Sequence, residues 1–428
     1  MKKKLVKLSK RPFLRNVVIM ATGTIAAQII TIILSPIITR LYGPEAFGLL
    51  GVFTAVIGII SPIAALTYPT AIVLPKSNNE AKGLVHLSIF ISIIIGVIIT
   101  VLLVFFNQQI VTLFNIEDIA PFLYLIPIVV LISGLVQVVE QWLIRIKQFK
   151  ITARVTIIQS IIVNGGKVGI GLFNPVAIVL IVMTVFSQLM KSLLMVFFVR
   201  RSNYIDKEVE EKKGLPISLS KLAKKYREFP VYRAPQIFIN AITQSLPILM
   251  LTSLFGPASA GFYSIGRTVL NIPSQLIGKS VGDVFYPRIA EASNNGENIN
   301  HLIKRATLAL AGVGLIPYGL VVIFGPWIFS FVFGADWVTA GEYARWIALW
   351  IYFMFMNQPS VKALLVMSEQ EFHLKFTILS LILRMLAITI GYLVFSSDLV
   401  AVAFFGISGA ILSFTLILIT LKKGKKFN

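Results

Sequence analysis

Positively charged side chains lie inside segments of this chain that are otherwise apolar enough to form transmembrane helices. These residues are Arg40, Lys167, Lys191, Arg267, Lys279, Arg345 and Arg384. Only two acids, Glu140 and Asp283, lie at a comparable depth. A cation that faces lipid at the bilayer centre costs about 2.5–3.5 kcal/mol. We therefore expect these groups to line a wet cavity between helices, where surplus positive charge favours an anionic cargo.

The cations differ in how readily they can reach a membrane surface. Arg267 and Arg384 lie well inside their apolar segments, so a cavity is the favoured environment for both. Lys167 lies among glycines, which allow either close helix packing or local unwinding. Arg40 and Arg345 lie near the predicted outer surface, where they either snorkel or form a ring that receives cargo. These five residues form the predicted anion-binding set.

The acids at depth have two interpretations, a local ion pair or the binding of a coupling ion. Lys279 and Asp283 are four residues apart, which is the spacing of an ion pair within one helix. Glu140 is assigned either to a pair with Arg145 or Arg154 or to a coupling proton. The sequence favours pairing. No cofactor or metal is expected, and the sequence leaves open whether transport is coupled to H⁺ or Na⁺.

Two of the apolar segments carry a stripe of polar side chains. Spacings of three and four residues place each stripe on one helical face. The first segment contributes Thr24, Gln28 and Thr31, and the seventh contributes Arg233, Gln236, Asn240 and Gln244. Equivalent positions in two halves of the chain predict facing walls of a polar cleft. The alternative is hydrogen bonding between helices, which Thr, Asn and Gln often provide in membranes.

The composition predicts an all-α polytopic membrane protein. Of 428 residues, 57% are hydrophobic and 13% are charged, and the chain contains no Cys, which excludes a disulfide framework and Cys-based metal sites. Apolar stretches long enough to span predict about twelve helices. The predicted spans are 16–39, 45–74, 84–105, 119–143, 152–173, 175–199, 234–255, 259–287, 305–332, 340–362, 372–395 and 398–421. No nucleotide-binding loop or catalytic motif is present, so enzyme chemistry is not expected.

Lys and Arg residues cluster in alternate loops, which predicts the orientation in the membrane. The basic N-terminus, the basic segment after the sixth span and the basic C-terminal tail all fall on one side, which the positive-inside rule assigns to the cytoplasm. We therefore expect a bacterial cytoplasmic (inner) membrane protein with both termini in the cytoplasm. The net charge of +21 has its explanation in this topology, and no nucleic acid partner is expected.

An internal duplication divides the chain into two halves. Residues 41–48 (LYGPEAFG) match residues 254–261 (LFGPASAG) at an offset of 213. Six spans separate the two motifs, so both halves have the same topology, and we predict two pseudo-symmetric six-helix bundles. The predicted lobes are residues 1–199 and 234–428, joined by a cytoplasmic linker at 200–233.

The linker contains one amphipathic stretch. Leu219, Leu222 and Tyr226 fall on one helical face, with lysines elsewhere. This pattern predicts a short interfacial helix on the anionic inner leaflet, and a solvated linker is the alternative.

Several motifs together resemble the polysaccharide-biosynthesis flippase family. They are residues 40–48 (RLYGPEAFG), 71–75 (AIVLP), 232–236 (YRAPQ), 254–257 (LFGP) and 284–288 (VFYPR). This family belongs to the multidrug/oligosaccharidyl-lipid/polysaccharide exporter superfamily, which has a MATE-like fold. The resemblance implies a cationic lumen between two six-helix lobes. It also implies movement of undecaprenyl-pyrophosphate-linked oligosaccharide to the outer leaflet by alternating access.

The chain departs from the family pattern at one position. Family members often carry an Arg and a Glu just before the AIVLP stretch, whereas residues 66–70 here read LTYPT. A coupling mechanism that needs this ion pair is therefore not carried over.

The expected function is that of a flippase for a lipid-linked anionic oligosaccharide. Membrane lipids, a glycan polymerase and glycosyltransferases are its expected partners. The alternatives are a lipid II flippase and a MATE-like ion-coupled exporter of small molecules, although exporters that move cations would be opposed by a positive cavity. A membrane glycan polymerase is a weaker alternative because the predicted outer loops are too short to hold a catalytic loop.

Overall fold

The described part of the chain is almost entirely helical. The computed structural model defines the backbone of residues 12–114, 116–201 and 218–427. Within these ranges, the side chains of residues 12–21, 118, 276, 278–280, 282–284, 287, 294 and 426 lie outside the description. No strand occurs in the described ranges, and eight of their helices are long and apolar enough to cross a membrane. The all-α polytopic class is confirmed, whereas the count of twelve spans stays a prediction.

The helices group into two compact units. The first unit comprises the described residues up to Tyr42 together with Leu49–Leu249, and the second comprises Gly43–Gly48 and Met250 onwards. The predicted lobe boundaries at 199 and 234 stay a prediction. The helices that begin in the first unit are α1 Pro12–Ile60, α2 Asn78–Phe114, α3 Ile126–Arg145, α4 Phe149–Gly171, α5 Ala177–Arg201, α6 Leu219–Lys225 and α7 Ala234–Phe255. Those of the second are α8 Pro257–Pro273, α9 Lys279–Asn294, α10 Ile299–Phe333, α11 Val338–Met356, α12 Gln358–Val366, α13 Gln370–Phe395 and α14 Asp398–Phe427.

The first unit is held together by helix packing around an aliphatic core. Helix α3 contacts α2, α4 and α5, and α4 packs along α5. Phe53 of α1, Ile119 of the 3-10 helix Glu117–Leu125 and Val129 of α3 are completely buried in this core. The linker helix α6 packs against α2.

Helix α6 forms as the sequence predicts, and part of its apolar face contacts protein. Leu222 is only 1% exposed, and the hydroxyl of Tyr226 donates to Glu80 Oε1 at 3.0 Å. Lys225 forms an ion pair with the same carboxylate. Leu222 therefore packs against protein, whereas Leu219 on the same predicted face is exposed, and an interfacial position of this helix stays a prediction. Residues 202–217 of the predicted linker lie outside the described residues.

The duplicated motif adopts the same backbone turn in both halves. Gly43 has φ 69° and ψ 173°, and Gly256 has φ 88° and ψ 171°. This region of backbone space is essentially restricted to glycine. Pro44 and Pro257 follow directly, where the fixed φ of proline suits the start of a helix. Each motif therefore ends one helical segment and begins the next, which supports the internal duplication.

The two motifs also approach each other reciprocally within the second unit. A Cβ atom placed on Gly48 would lie 1.7 Å from the carbonyl oxygen of Pro257. A Cβ atom placed on Gly261 would lie 2.0 Å from the carbonyl oxygen of Pro44. These pairs are equivalent under the offset of 213, so the crossing is itself pseudo-symmetric. Backbones come this close only where both helices lack side chains at the crossing.

The rest of the second unit packs around an aromatic core. Helix α11 contacts α8, α10 and α14, and α14 also packs along α13. Tyr263, Tyr343 and Phe405 are fully or almost fully buried in this core. The aromatic rings of Tyr263 and Phe405 meet edge to face at 5.9 Å.

Candidate functional site

The second polar stripe lies on an open face of α7 and of the π-helical turn Phe229–Arg233 that precedes it. Its members, all exposed, are Arg233, Gln236, Asn240 and Gln244. The opposite face is buried through Ala241, Ser245 and Leu249. One guanidinium and three carboxamides on one accessible face provide both donors and acceptors of hydrogen bonds. This surface suits ligands rich in hydroxyl and phosphate groups.

The first polar stripe divides between two roles. Thr24 is exposed and Gln28 is half-buried. Thr31, in contrast, accepts a hydrogen bond from Asn164 Nδ2 at 3.2 Å and lies 3.3 Å from Ser160 Oγ, both on α4. Thr31 therefore links α1 to α4, which is the role that the interhelical alternative gave it.

Lys167 lies in the glycine-rich stretch 165–171 near the end of α4. The side chain is half-buried, and no described residue forms an ion pair with it. The carbonyl group of Lys167 accepts a hydrogen bond of 2.7 Å from Tyr42. Gly171 packs against the ring of Tyr42, whereas a Cβ atom at Gly165 or Gly169 would meet nothing within 4 Å. Close packing thus explains only some of these glycines.

Arg384 is the most buried cation of the predicted set. Its side chain is 7% exposed. The guanidinium carbon lies 3.6 Å from the centroid of the Trp350 ring and 3.8 Å from that of Phe405. Desolvated cation–π contacts of this kind contribute about 2 kcal/mol or more. Two aromatic rings thus hold the charge in place without neutralising it.

Some of the hydrogen-bond donors of the Arg384 guanidinium have no acceptor among the described residues. Nε and Nη2 are buried and make no hydrogen bond to any described residue. No carboxylate of the described residues pairs with this guanidinium, and its electrostatic neighbours are Tyr263 and Arg267 on α8. Arg267 is half-buried. Arg384 and Arg267, both members of the predicted anion-binding set, are therefore neighbours inside the second unit. The unused N–H groups of Arg384 are suited to an anionic acceptor.

The two cations that are predicted to lie near the outer surface, Arg345 and Arg40, are both exposed. Arg345 donates from Nε to the carbonyl oxygen of Val322 at 2.8 Å, which fixes its direction. It lines a cleft of about 300 Å³ together with Glu342 and Trp346. Arg40 is exposed on α1, in the first unit. A role for either residue in receiving cargo stays a prediction.

Of the two acids at depth, only Glu140 has a described side chain, and its partner differs from the prediction. Glu140 forms an ion pair of 2.7 Å with Lys191 of α5, so the predicted pairing with Arg145 or Arg154 is wrong. Arg145 instead donates to the carbonyl oxygen of Pro75 at 2.7 Å. The side chains of Lys279 and Asp283 lie outside the described residues. Among the residues that are described, no group of three His, Cys, Asp or Glu side chains could hold a metal ion.

Sequence reasoning missed the residues that surround these sites. Trp350 and Phe405 lie on α11 and α14, far along the chain from Arg384, and nothing in their local pattern marks them. Ser160 and Asn164 were visible as polar residues four positions apart in an apolar segment. That spacing was a usable sign of a hydrogen-bonded helix face.

The sequence is similar to known proteins of polysaccharide biosynthesis. A family model described as polysaccharide biosynthesis protein matches residues 37–342. The succinoglycan biosynthesis transport protein ExoT of Rhizobium meliloti (strain 1021) is 23% identical over 343 residues. The aligned part covers 78% of this chain and 65% of that relative, so the chain spans less than two thirds of the relative's length.

Solved structures with the same fold include two kinds of transporter. An inward-facing multidrug resistance MATE family transporter of the MOP superfamily superposes with a TM-score of 0.71 at 14% identity, covering 93% of this chain and 95% of that structure. The lipid II flippase MurJ in an inward closed conformation gives 0.70 at 16% identity, covering 95% and 87%. The MATE-like fold expected from the sequence is confirmed.

Proposed function

The chain belongs to the family of polysaccharide biosynthesis proteins, and we propose that it is a flippase for undecaprenyl-pyrophosphate-linked oligosaccharide. It is a multi-pass membrane protein whose relative and structural neighbours are transporters. The proposed cargo moves from the inner to the outer leaflet of the bacterial cytoplasmic membrane by alternating access. On this proposal the protein moves a lipid rather than catalysing a covalent reaction.

The buried guanidinium of Arg384 is the observation that carries this proposal. It has two N–H groups without a partner among the described residues, and the cation Arg267 is its neighbour. An unpaired buried donor costs about 1–3 kcal/mol, and more when it is charged. A pyrophosphate supplies oxygen acceptors and negative charge, so it would satisfy both requirements at once. A neutral cargo would supply oxygen acceptors but no negative charge, and a cationic cargo would be repelled.

The exposed stripe on α7 would bind the sugar portion of the cargo. Its carboxamides form hydrogen bonds with hydroxyl groups without requiring a particular glycan, and Arg233 at its end would meet a phosphate. The prenyl tail would remain in lipid, since burying it in a polar cleft would remove hydrocarbon from its favoured environment. Glycosyltransferases that build the cargo and a polymerase that extends it are the proposed partners.

The membrane potential gives this movement a direction. With the cytoplasm negative, moving one negative charge outward releases about 2.3 kcal/mol per 100 mV. Both termini are placed in the cytoplasm on the proposed topology. A coupled H⁺ or Na⁺ is not required for the direction of transport, because the potential acts on the cargo itself.

The α7 stripe can be tested in a strain that lacks the chromosomal copy of the gene. We expect the double substitution Gln236→Leu/Asn240→Leu to lower surface glycan about tenfold, because two hydrogen bonds of about 0.5–1.5 kcal/mol each are lost. Surface glycan is measured by quantitative immunoblot against protein abundance.

Thr243→Val on the same helix is the matched control. The hydroxyl of Thr243 donates to the carbonyl oxygen of Ile239 within α7, so the control should leave surface glycan unchanged. Wild-type glycan in the double variant at normal abundance would contradict a sugar-binding role for the stripe.

A further inference from the structure

The first unit contains a groove at one end of α2, α3 and α5 that the proposed transport route does not use. Helix α3 packs against both α2 and α5 and forms the floor. The groove encloses about 370 Å³. Its lining residues are Lys82, Val85 and His86 of α2, Val138, Val139 and Trp142 of α3, and Val196, Val199 and Arg200 of α5.

The groove carries a net positive charge. Lys82 and Arg200 are exposed on opposite walls, and neither forms an ion pair with a described residue. The nearest acids along these helices are already engaged, because Glu80 pairs with Lys225 and Glu140 pairs with Lys191. Two cations therefore face the groove, and the carboxylates near it have other partners.

Both walls continue into exposed apolar surface away from the charged end. On α2, exposed side chains follow Lys82 and His86 at helical spacing, namely Phe90, Ile93 and Val97. On α5, exposed side chains precede Arg200 at the same kind of spacing, namely Phe197, Leu193 and Leu189. Each wall thus has a basic end, which matches an anionic headgroup, and an apolar length, which matches the acyl chains of a membrane lipid.

We propose that this groove binds an anionic phospholipid of the inner leaflet. The phosphate would lie between Lys82 and Arg200, with Trp142 at the level of the headgroup, where Trp is favoured in membranes. The acyl chains would lie along the apolar lengths of α2 and α5. Basic pockets between membrane helices on the cytoplasmic side are suited to such headgroups. A free phosphate would match the cations but leave the apolar walls without a partner.

The position of Trp142 allows a local measurement. The full-length protein is reconstituted in dibrominated phosphatidylcholine, which quenches tryptophan fluorescence on contact, and unbrominated phosphatidylglycerol is then added in steps. An anionic lipid that enters the groove displaces the quencher from Trp142. Unbrominated phosphatidylcholine is the reference lipid. The concentration of phosphatidylglycerol that gives half of the recovery should be roughly tenfold lower than that of the reference. The Trp142→Phe protein should lack this selective component, since the other four of the five tryptophans lie elsewhere.

Charge variants distinguish lipid binding in the groove from a general attraction of anionic lipid to the basic protein surface. Lys82→Gln/Arg200→Gln should remove the preference for phosphatidylglycerol, whereas Lys76→Gln/Lys150→Gln changes the same charge on exposed residues outside the groove and should retain it. Equal preference in the two double variants, or selective recovery that persists in Trp142→Phe, would overturn the proposal.

A second arm tests whether the chain itself fills the groove. Residues 202–217 include the acids Glu208, Glu210 and Glu211. Replacing all three with Gln should leave the preference for phosphatidylglycerol unchanged if lipid is the occupant. A preference that rises severalfold would identify this segment as the occupant and would overturn the lipid proposal.

Discussion

Replacing Arg384 with Met is expected to slow transport strongly while leaving the protein as stable as the parent. Met retains apolar contact with Trp350 and Phe405 but removes the charge. The lost cation–π contacts, each about 2 kcal/mol or more, are offset by removing two unsatisfied donors at about 1–3 kcal/mol each. The loss of charge-assisted hydrogen bonds to the cargo, at about 1.5–3 kcal/mol each, predicts a decrease of roughly a hundredfold in flipping rate.

The measurement combines a flipping assay with a thermal unfolding curve for the same purified protein. Arg384→Lys should retain part of the activity, because it keeps the charge but loses the planar fork of donors. Lys304→Met removes an exposed cation of α10 and should change neither quantity. Normal transport by Arg384→Met would exclude a role in cargo binding, and a large loss of stability would assign Arg384 to structure instead.

Replacing Gly48 or Gly261 with Ala is expected to destabilise the protein strongly. The added Cβ atom would lie 1.7 Å from the Pro257 oxygen or 2.0 Å from the Pro44 oxygen, and both obstacles are backbone that cannot rotate away. Overpacking usually costs about 1–3 kcal/mol and occasionally more. We expect a several-fold fall in membrane abundance and a lower unfolding temperature for each variant.

The reciprocal geometry of the two glycines also predicts the stability of the double variant. Separating the two helical segments would relieve both clashes, so Gly48→Ala/Gly261→Ala should cost less than the sum of the single substitutions. Gly165→Ala and Gly169→Ala are the controls, since neither new methyl group meets an atom within 4 Å and Ala favours a helix over Gly by about 1 kcal/mol. If Gly48→Ala has the abundance and the unfolding temperature of the parent, the two helical segments separate at little cost and the prediction is wrong.

Features of the fold that depend on local chemistry could be predicted from the sequence. The repeated Gly-Pro pairs require a backbone turn that only glycine adopts readily, and the structure has that turn at both Gly43 and Gly256. The stripe from Gln236 to Gln244 lies on an exposed face because its spacing matches the helical period. Both features depend only on residues that are neighbours along the chain.

Features that depend on distant contacts could not be predicted in this way. Glu140 pairs with Lys191 on another helix, whereas its position along the chain favoured the closer arginines, Arg145 and Arg154. The aromatic rings around Arg384 come from two helices whose sequences carry no sign of that role. The predicted span 259–287 is divided between α8 and α9 by the π-helical turn Ser274–Gly278, which average hydropathy cannot show.

The central claim is that negative charge on the cargo is what the buried cations recognise. Its most direct test is the initial flipping rate in proteoliposomes of one oligosaccharide carried on undecaprenyl pyrophosphate and on an uncharged prenyl carrier. We predict that the pyrophosphate-linked cargo flips at least tenfold faster, and faster still when the compartment it leaves is made negative. Equal rates for the two carriers, with no response to the potential, would contradict the account.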